Sequence, residues 1–366
     1  MYVVIENKTF INAVHTAARF AERRGATLPA LASILILASD EGIKMRATNL
    51  EAGIDLKVLG NVRAPGAVAV IATLLQQIAS SLPLEGSVTL EHTGDILSMT
   101  IGTSKLSLKT TPYDDFPSIP FPENPKHRIV LPAAVLRTVL TSIASCASTS
   151  TIRPELSSIL LSIGRDSLTT TATDSFRLAE KKTPLTVSTI NGTFLIPAKN
   201  AVDIAQALPE EDIIMSFDEH QCAFITSTMV LVSRLTNATY PDYKQIIPKE
   251  SVVEATVLRK DFETALRRTS IFADLFQKIR LTFDPKKKHI TLFAKNLDLG
   301  ESTESIPAQL TGDTIQISFN YRYLAAVLTL TNAENLSLSV AGIGRPIIVR
   351  GVGDTSLLYL VSPMNQ

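Results

Sequence analysis

The sequence predicts an α+β protein of three tandem, similar domains, each made of two strand–helix–strands units. Three observations predict it. Short runs alternate apolar and polar residues, as in SKLSLK at Ser104–Lys109, which suits antiparallel sheets with one wet face. Amphipathic helical patterns of about three turns interrupt these runs, so helices pack on one side of sheets. The whole pattern then repeats.

The repeat is read from two units. ILILASDEGIKMRATNLE begins at Ile34, and ILLSIGRDSLTTTATDS begins 125 residues later at Ile159. A weaker third copy, IRLTFDPKKKHITLFAKNLD, begins at Ile279. Ala47-Thr48-Asn49, Ala172-Thr173-Asp174 and Ala294-Lys295-Asn296 hold the same place in each. The second unit is VAVIATLLQQIASSLP, then FLIPAKNAVDIAQALP, then IQISFNYRYLAAVLTLT. Two corners, DDFP and YPDY, close the first two copies, while the third runs out at LLYLVSPMNQ. Three copies fill the 366 residues and leave no room for a separate catalytic domain. The expected domains are 1–125, 126–250 and 251–366, with linkers at PSIPFPENPKHR and PKESVVEA.

Taken in order, the first helix lies in TFINAVHTAARFAERRG. Phe10, Val14, Ala17 and Ala21 share one face, and His15, Arg19 and Arg23 another, with Arg24 beside them. In the strands that close the first domain, Leu90, Ile96, Met99 and Ile101 are the expected inward residues. Arg137, Lys199 and Arg322 fall in or at the start of three later helices. In KDFETALRRTSIF, Phe262 and Leu266 face inward, and Lys260, Arg267 and Arg268 outward.

Composition bounds the function. Hydrophobic residues are 45% and charged residues 19%, which can fill real cores, and the formal net charge is +0. Affinity for an acidic partner must therefore come from how charge is sorted. The exposed helix faces are basic or neutral, while Asp40, Glu41, Asp95, Asp114, Asp115, Glu210, Glu211, Glu301 and Glu304 fall in turns and strands. A positive side built from helices suits a phosphate backbone read without regard to sequence. No recognition helix, zinc finger or aromatic stacking platform is evident. No membrane span or signal segment is evident either, so a cytoplasmic protein is expected. Cys146 and Cys222 stand outside any CxxC or Cys/His cluster and are expected to be reduced, partly buried thiols.

Catalytic chemistry has no positive support. Gly102-Thr103-Ser104-Lys105 is a fragment of a phosphate loop set in a strand pattern, and GIGRP at Gly342 and GVGD at Gly351 read as hairpin turns. His15, His92, His127, His220 and His289 have no metal-ligand spacing, and Asp174-Ser175 has no nearby histidine. No cofactor or metal is expected. Two alternatives stay open on the residues alone: a repeat scaffold that binds peptides without encircling DNA, and a hydrolase built on Asp174 and Ser175.

ATDSFRLA, YPDYKQIIP and the C-terminal YLVSPM together resemble the bacterial sliding clamps, the beta subunits of DNA polymerase III. TLPALASILI and DDFP resemble that family as well, and the resemblance runs the length of the chain. It implies a head-to-tail homodimer closed into a ring. Helices line the hole, sheets form the outer wall, and duplex DNA is encircled. A separate loader opens the ring. The implied partners are the replicative polymerase, the clamp loader, repair polymerases, ligase and mismatch-repair proteins. These dock an extended peptide in a pocket between the second and third domains. Carried over by motif, that pocket takes Leu156, Thr173, Ser175, Phe176, Arg177, Leu178, Pro241, Gln245, Ile246, Pro346, Leu360, Val361, Ser362, Pro363 and Met364. The resemblance also implies a dimer interface with Ile271 and Phe272 at its centre, Lys105 and Leu106 on one edge strand, and Glu301 and Glu304 opposite. The sequence departs from the family pattern at Phe176, Gln245, Thr73-Leu74, Pro154-Glu155 and the terminal Asn365-Gln366.

Overall fold

The computed structural model describes residues 1–22, 28–114, 116–119, 127–185 and 191–364. The first third runs β1 (Tyr2–Glu6), α1 (Asn7–Ala17), β2 (Ser33–Ser39), β3 (Gly42–Thr48), β4 (Ala52–Val58), β5 (Asn61–Ala64), β6 (Gly66–Ile71), α2 (Ala72–Ser81), β7 (Ser87–Thr93), β8 (Ile96–Ile101) and β9 (Ser104–Lys109). The middle third runs β10 (His127–Pro132), α3 (Ala133–Thr141), β11 (Ser158–Ile163), β12 (Ser167–Thr173), β13 (Arg177–Pro184), β14 (Gly192–Pro197), α4 (Ala198–Ala207), β15 (Asp212–Phe217), β16 (Gln221–Ile225) and β17 (Met229–Arg234). The last third runs β18 (Val253–Leu258), α5 (Arg259–Ser270), β19 (Lys278–Asp284), β20 (His289–Asn296), β21 (Gly300–Pro307), β22 (Gln309–Gly312), β23 (Ile315–Asn320), α6 (Tyr321–Leu330), β24 (Asn335–Val340), β25 (Ile347–Gly351) and β26 (Leu357–Val361). The strand–helix–strands unit thus occurs twice in each third.

The described strand pairings between these elements are antiparallel. The chain forms two compact units. Met1–Arg137 with Lys199–Thr236 makes the first, and Thr138–Ala198 with Asn237–Gln366 the second. The first holds the sheets β5-β1-β7-β8-β9 and β10-β15-β16-β17-β4-β3-β2-β6. The second holds β14-β11-β12-β13-β26-β25-β24-β18-β22 and β21-β20-β19-β23.

Helices enter straight from strands. Leu258 and Asn320, each in extended conformation, cap α5 and α6, and the Asn320 side chain accepts the Arg322 N–H. In α5, Asp261 stands in the first turn and Arg267 and Arg268 in the last, which complements the helix dipole. Phe262, Ala265, Leu266 and Thr269 bury one stripe of α5, which packs on β20 and β21. β19 alternates half-buried and buried residues throughout, so Ile279, Leu281 and Phe283 face the core while Lys278, Arg280 and Thr282 face away.

Two expectations are corrected. The first helix ends at Ala17, so Arg19 lies beyond it and does not continue the His15 stripe; Arg23 and Arg24 lie outside the described residues. His15 is engaged by α2 instead, with Nδ1 3.2 Å from Gln76 Nε2 and Nε2 3.4 Å from Ser80 Oγ. In β8 the inward residues are Leu97 and Met99, whereas Ile96 is exposed and Ile101 half-buried. The even-numbered isoleucine falls on the wet face, because a one-residue slip exchanges the two faces of a strand. No helix among the described residues is long and apolar enough to cross a membrane.

Candidate functional site

The site begins at the β12–β13 hairpin, where the chain reads Thr173-Asp174-Ser175-Phe176-Arg177. Asp174 organises it. Its Oδ1 accepts the N–H groups of Phe176 and Arg177, both at 3.0 Å, and its Oδ2 accepts Arg177 Nε at 3.0 Å. Thr173 Oγ1 accepts the Ser175 N–H at 3.1 Å and donates to the Arg177 carbonyl at 2.6 Å. An aspartate and a threonine can bond their own downstream backbone, and here that locks a tight turn with Ser175 at φ 79°. The turn pushes Phe176 outward, 59% exposed, and turns Arg177 inward. The guanidinium of Arg177 donates to the Ser145 carbonyl at 2.5 Å and lies 5.0 Å above the Tyr323 ring. The Phe176 ring stacks on Tyr323 at 6.2 Å between centroids.

The C-terminal strand completes the site. β26 pairs with β13, with Val361 opposite Arg177 and Leu360 opposite Leu178. Beyond it the Ser362 N–H donates to the Phe176 carbonyl at 2.8 Å, and the Met364 N–H donates to the Ser318 carbonyl at 2.8 Å. The tail is thereby stretched from β13 to β23 and has a groove on each side. One, of about 390 Å³, is lined by Phe176, Asn320, Tyr323, Ser362, Pro363 and Met364. The other, of about 300 Å³, is lined by Gln316, Ile317, Ser318, Ile343, Gly344, Pro346 and the same three tail residues. Pro363 and Met364 form a shared apolar rib. Apolar walls with a few fixed polar groups suit the side chains and backbone of an extended peptide, and a methionine can repack around its ligand.

Of the fifteen residues expected here, Phe176, Pro346, Ser362, Pro363 and Met364 line the grooves. Ser175 and Arg177 set the turn. Leu156, Thr173, Leu178, Leu360 and Val361 are buried and line neither groove. Pro241, Gln245 and Ile246 are exposed on a separate corner and do not line either groove. That corner is tied to β13 by the Tyr243 hydroxyl, which donates to Glu180. Tyr240 and Tyr243 meet edge to face at 6.3 Å. Burial, reinforced by Glu180, pushes the Tyr243 phenol up to about 12, and burial also raises Tyr240 and Tyr359. Tyr359 donates to the Tyr323 carbonyl at 2.6 Å, which fixes the start of α6 under the groove. Asn320, Tyr323, Gln316, Ser318 and Ile343 escaped the sequence reading. Asn320 had one local signal, its place as a cap before a helix, but nothing in the sequence set β23 beside the tail.

Three family models match consecutive stretches of the chain. These are the DNA polymerase III beta subunit N-terminal domain over residues 1–120, the central domain over 130–242 and the C-terminal domain over 244–365. The chain belongs to the DNA polymerase III beta subunit family, the beta sliding clamps. The Synechococcus elongatus beta sliding clamp is 30% identical over 346 residues, covering 92% of each chain. The Bacillus subtilis clamp is 26% identical over 100% of this chain and 99% of its own. Among solved structures, the Bacillus subtilis DNA polymerase sliding clamp superposes with TM-score 0.92 at 25% identity, covering 100% and 99%. The Pseudomonas aeruginosa sliding clamp bound to griselimycin gives TM-score 0.92 at 23% identity over the whole of both chains. The protein is a clamp of three similar α+β domains, a processivity factor of DNA replication and not an enzyme.

The basic residues of this clamp divide by environment. Arg267 and Arg322 are exposed on α5 and α6. Lys199 is exposed on α4 and pairs with Asp203 at 3.1 Å. Arg19 is half-buried and bonded to Gln206. Arg137, also expected to face phosphate, is the most fully engaged of the set. Its guanidinium meets Glu210 at 2.6 Å and the carbonyls of Leu208 and Pro209 at 2.9 and 3.0 Å, so it ties α3 to the end of α4. A side chain that satisfied has little left to offer a phosphate.

Four of the six expected interface residues of the clamp lie on sheet edges. Lys105 and Leu106 are on β9, the last strand of its sheet, and Glu301 and Glu304 on β21, the last strand of another. Ile271 is exposed and Phe272 half-buried at the end of α5, and a Cβ on Gly300 would lie 3.9 Å from the Phe272 ring. Within the chain Glu301 already meets Lys295 at 3.6 Å and Glu304 meets Arg268 at 3.7 Å.

Proposed function

We propose that this processivity clamp works as a ring-shaped homodimer of three-domain chains (1–125, 126–250 and 251–366) that encircles duplex DNA and slides. The observation that carries this reading is a pair of unused sheet edges. Inside the chain, β4 of the first third pairs with β17, the last strand of the middle third, and β13 of the middle third pairs with β26, the last strand of the final third. By the repeat, β21 corresponds to β4 and β13, and β9 corresponds to β17 and β26. Of these six equivalent strands, four pair with one another inside the chain, and β9 and β21 stand at sheet edges. A long unpaired edge invites another chain. A head-to-tail junction that uses different surfaces on each copy closes a ring when the rotation permits.

The repeat also supplies the register. The turns after Thr48, Thr173 and Lys295 align Leu56, Lys181 and Glu304, and the turns after Ile101 and Thr226 align Ser104 with Met229. Since Met229 pairs with Leu56, Ser104 of one protomer falls opposite Glu304 of its partner. Lys105 then faces Thr303 and Leu106 faces Ser302. Lys105 lies diagonal to Glu301, and Leu106 comes beside Gly300 and Phe272.

Grip on DNA is topological in this reading. A net charge of +0 with exposed Lys199, Arg267 and Arg322 on helices gives weak, sequence-blind contact that permits sliding. Arg23 and Arg24, outside the described residues, belong to the same proposal. The polymerase, the loader, repair polymerases, ligase and mismatch-repair proteins dock peptides in the grooves beside Pro363 and Met364. The protein works in the bacterial cytoplasm, on the nucleoid during replication.

Light scattering at micromolar concentration tests closure. A mass near twice 39.7 kDa is expected, followed by retention on circular DNA that is lost when the circle is cut. A mass near 39.7 kDa together with equal retention on circular and cut DNA would favour a peptide-binding scaffold that never encircles DNA.

A further inference from the structure

We propose that the peptide groove continues onto a basic shelf that binds acidic residues flanking the docked segment. This rests on the groove reading above. The shelf is a cavity of about 380 Å³ on the outward face of β19, β20 and β23, and it shares Gln316 and Ser318 with the groove beside the tail.

Its centre is Arg280. Across the strands Arg280 is paired with Phe293 on one side and Ser318 on the other. Its guanidinium lies 4.4 Å above the Phe293 ring, and its Nε is shut off from solvent with no hydrogen-bond partner among the described residues. A cation part-withdrawn from water without a counter-charge is costly, and a carboxylate would relieve that cost. Lys278 and Lys295 line the same cavity. Two carboxylates face them. Asp274 lines the cavity and accepts the Lys278 backbone N–H at 3.0 Å, and Glu301 meets Lys295 at 3.6 Å. Three cations against two carboxylates leave one positive charge, and among the described residues only Lys295 has a side-chain ion pair, so Arg280 and Lys278 both stand without one.

Position favours a peptide flank. The Met364 N–H bonds to Ser318, the cross-strand neighbour of Arg280. Two strand spacings, about 10 Å, therefore separate the tail from the arginine. Extended chain covers that in about three residues. A peptide lying along Pro363 and Met364 would place an acidic residue on the shelf roughly three positions outside its apolar segment.

Fluorescence anisotropy with two pairs of labelled peptides tests this. All share one leucine-rich segment. Within each pair one flank is Asp-Asp-Glu or Ser-Ser-Gln, placed at the N-terminal end in one pair and the C-terminal end in the other. In one of the pairs the acidic peptide is expected to bind about tenfold more tightly at low salt, with the advantage fading as salt rises. Arg280→Gln should erase that advantage and leave the neutral peptide's affinity and the melting temperature unchanged. Equal binding of acidic and neutral peptides in both pairs would overturn the shelf alone, as would an advantage that survives Arg280→Gln and Lys278→Gln. Failure of every peptide to bind would bring down the groove and the shelf with it. Loss of retention on circular DNA in Arg280→Gln, with no change in peptide binding, would reassign the shelf to phosphate.

Discussion

At the scale of single residues, the hairpin at Asp174 explains why one motif can be both rigid and exposed. Arg177 is the keystone: its side chain is mostly buried and bonds Asp174, the Ser145 carbonyl and the Tyr323 ring face together. Truncation to alanine would leave Asp174, also mostly buried, without its counter-charge. Arg177→Ala is therefore expected to lower stability by about 2 kcal/mol. Peptide affinity should fall as well, because Phe176 is presented by the same turn. Chemical denaturation and anisotropy read the two effects. A variant with wild-type stability and wild-type affinity would mean that the turn holds without the guanidinium. Arg177→Lys should not rescue, since an ammonium cannot make the forked contact and lie flat on a ring. Cys146 stands close by and shows the other face of burial: its thiol is pushed up to about 11, so it is a packing residue and not a nucleophile. The stretches ATDSFRLA and VSPM point to this site through their resemblance to the clamp family, since on their own chemistry Leu178 and Val361 read as plain core. Asn320 and Tyr323 could not be read, because their part depends on a tail that crosses from β13 to β23. The partners of Arg137 are not legible either, because a helix-face arginine looks the same in sequence whether a glutamate from a distant loop meets it or not.

At the scale of elements, the repeat made the fold legible and the exceptions mark where local pattern is weak. The strands of β19 and β20 alternate cleanly and their faces follow directly. β8 carries isoleucines at both ends, one on each face, so alternation alone left its phase ambiguous. The first helix looked longer than it is because alanines continue past Ala17, although the backbone turns there. The edges β9 and β21 carry the sharper consequence. Glu301 and Glu304 already have partners within their own chain, so an ion pair with Lys105 of another protomer must compete with them. An exposed rim pair contributes about 0–1 kcal/mol. Closing a shell around Phe272 and Ile271 removes apolar surface from water, and truncating such a centre costs about 2–4 kcal/mol. Phe272→Ala is thus expected to weaken the dimer at least about fivefold more than Lys105→Ala. Sedimentation equilibrium on the two variants measures the ranking, and equal dissociation constants would show that charge, not the apolar centre, holds the edge together.

At the scale of the whole molecule, threefold repetition gives two junctions inside the chain and one left for a partner, and the inner two fix the geometry of the third. Antiparallel neighbours directly opposite stand about 4.5–5.5 Å apart, within reach of a disulfide. Lys105→Cys combined with Thr303→Cys, and Leu106→Cys combined with Ser302→Cys, should each form a covalent dimer on mild oxidation. Ser104→Cys with Ser302→Cys, two residues out of register, should not. The native thiols do not confuse the result, since Cys146 and Cys222 are both buried. Two cross-links per dimer would close the ring covalently. A clamp cross-linked while on circular DNA should then survive denaturant on the circle, because only a broken backbone could release it. Cross-linking in the out-of-register pair alone would move the strand pairing and with it every contact assigned to Lys105 and Leu106. Covalent dimers that leave circular DNA freely in denaturant would mean that the chains join at one edge without enclosing the duplex.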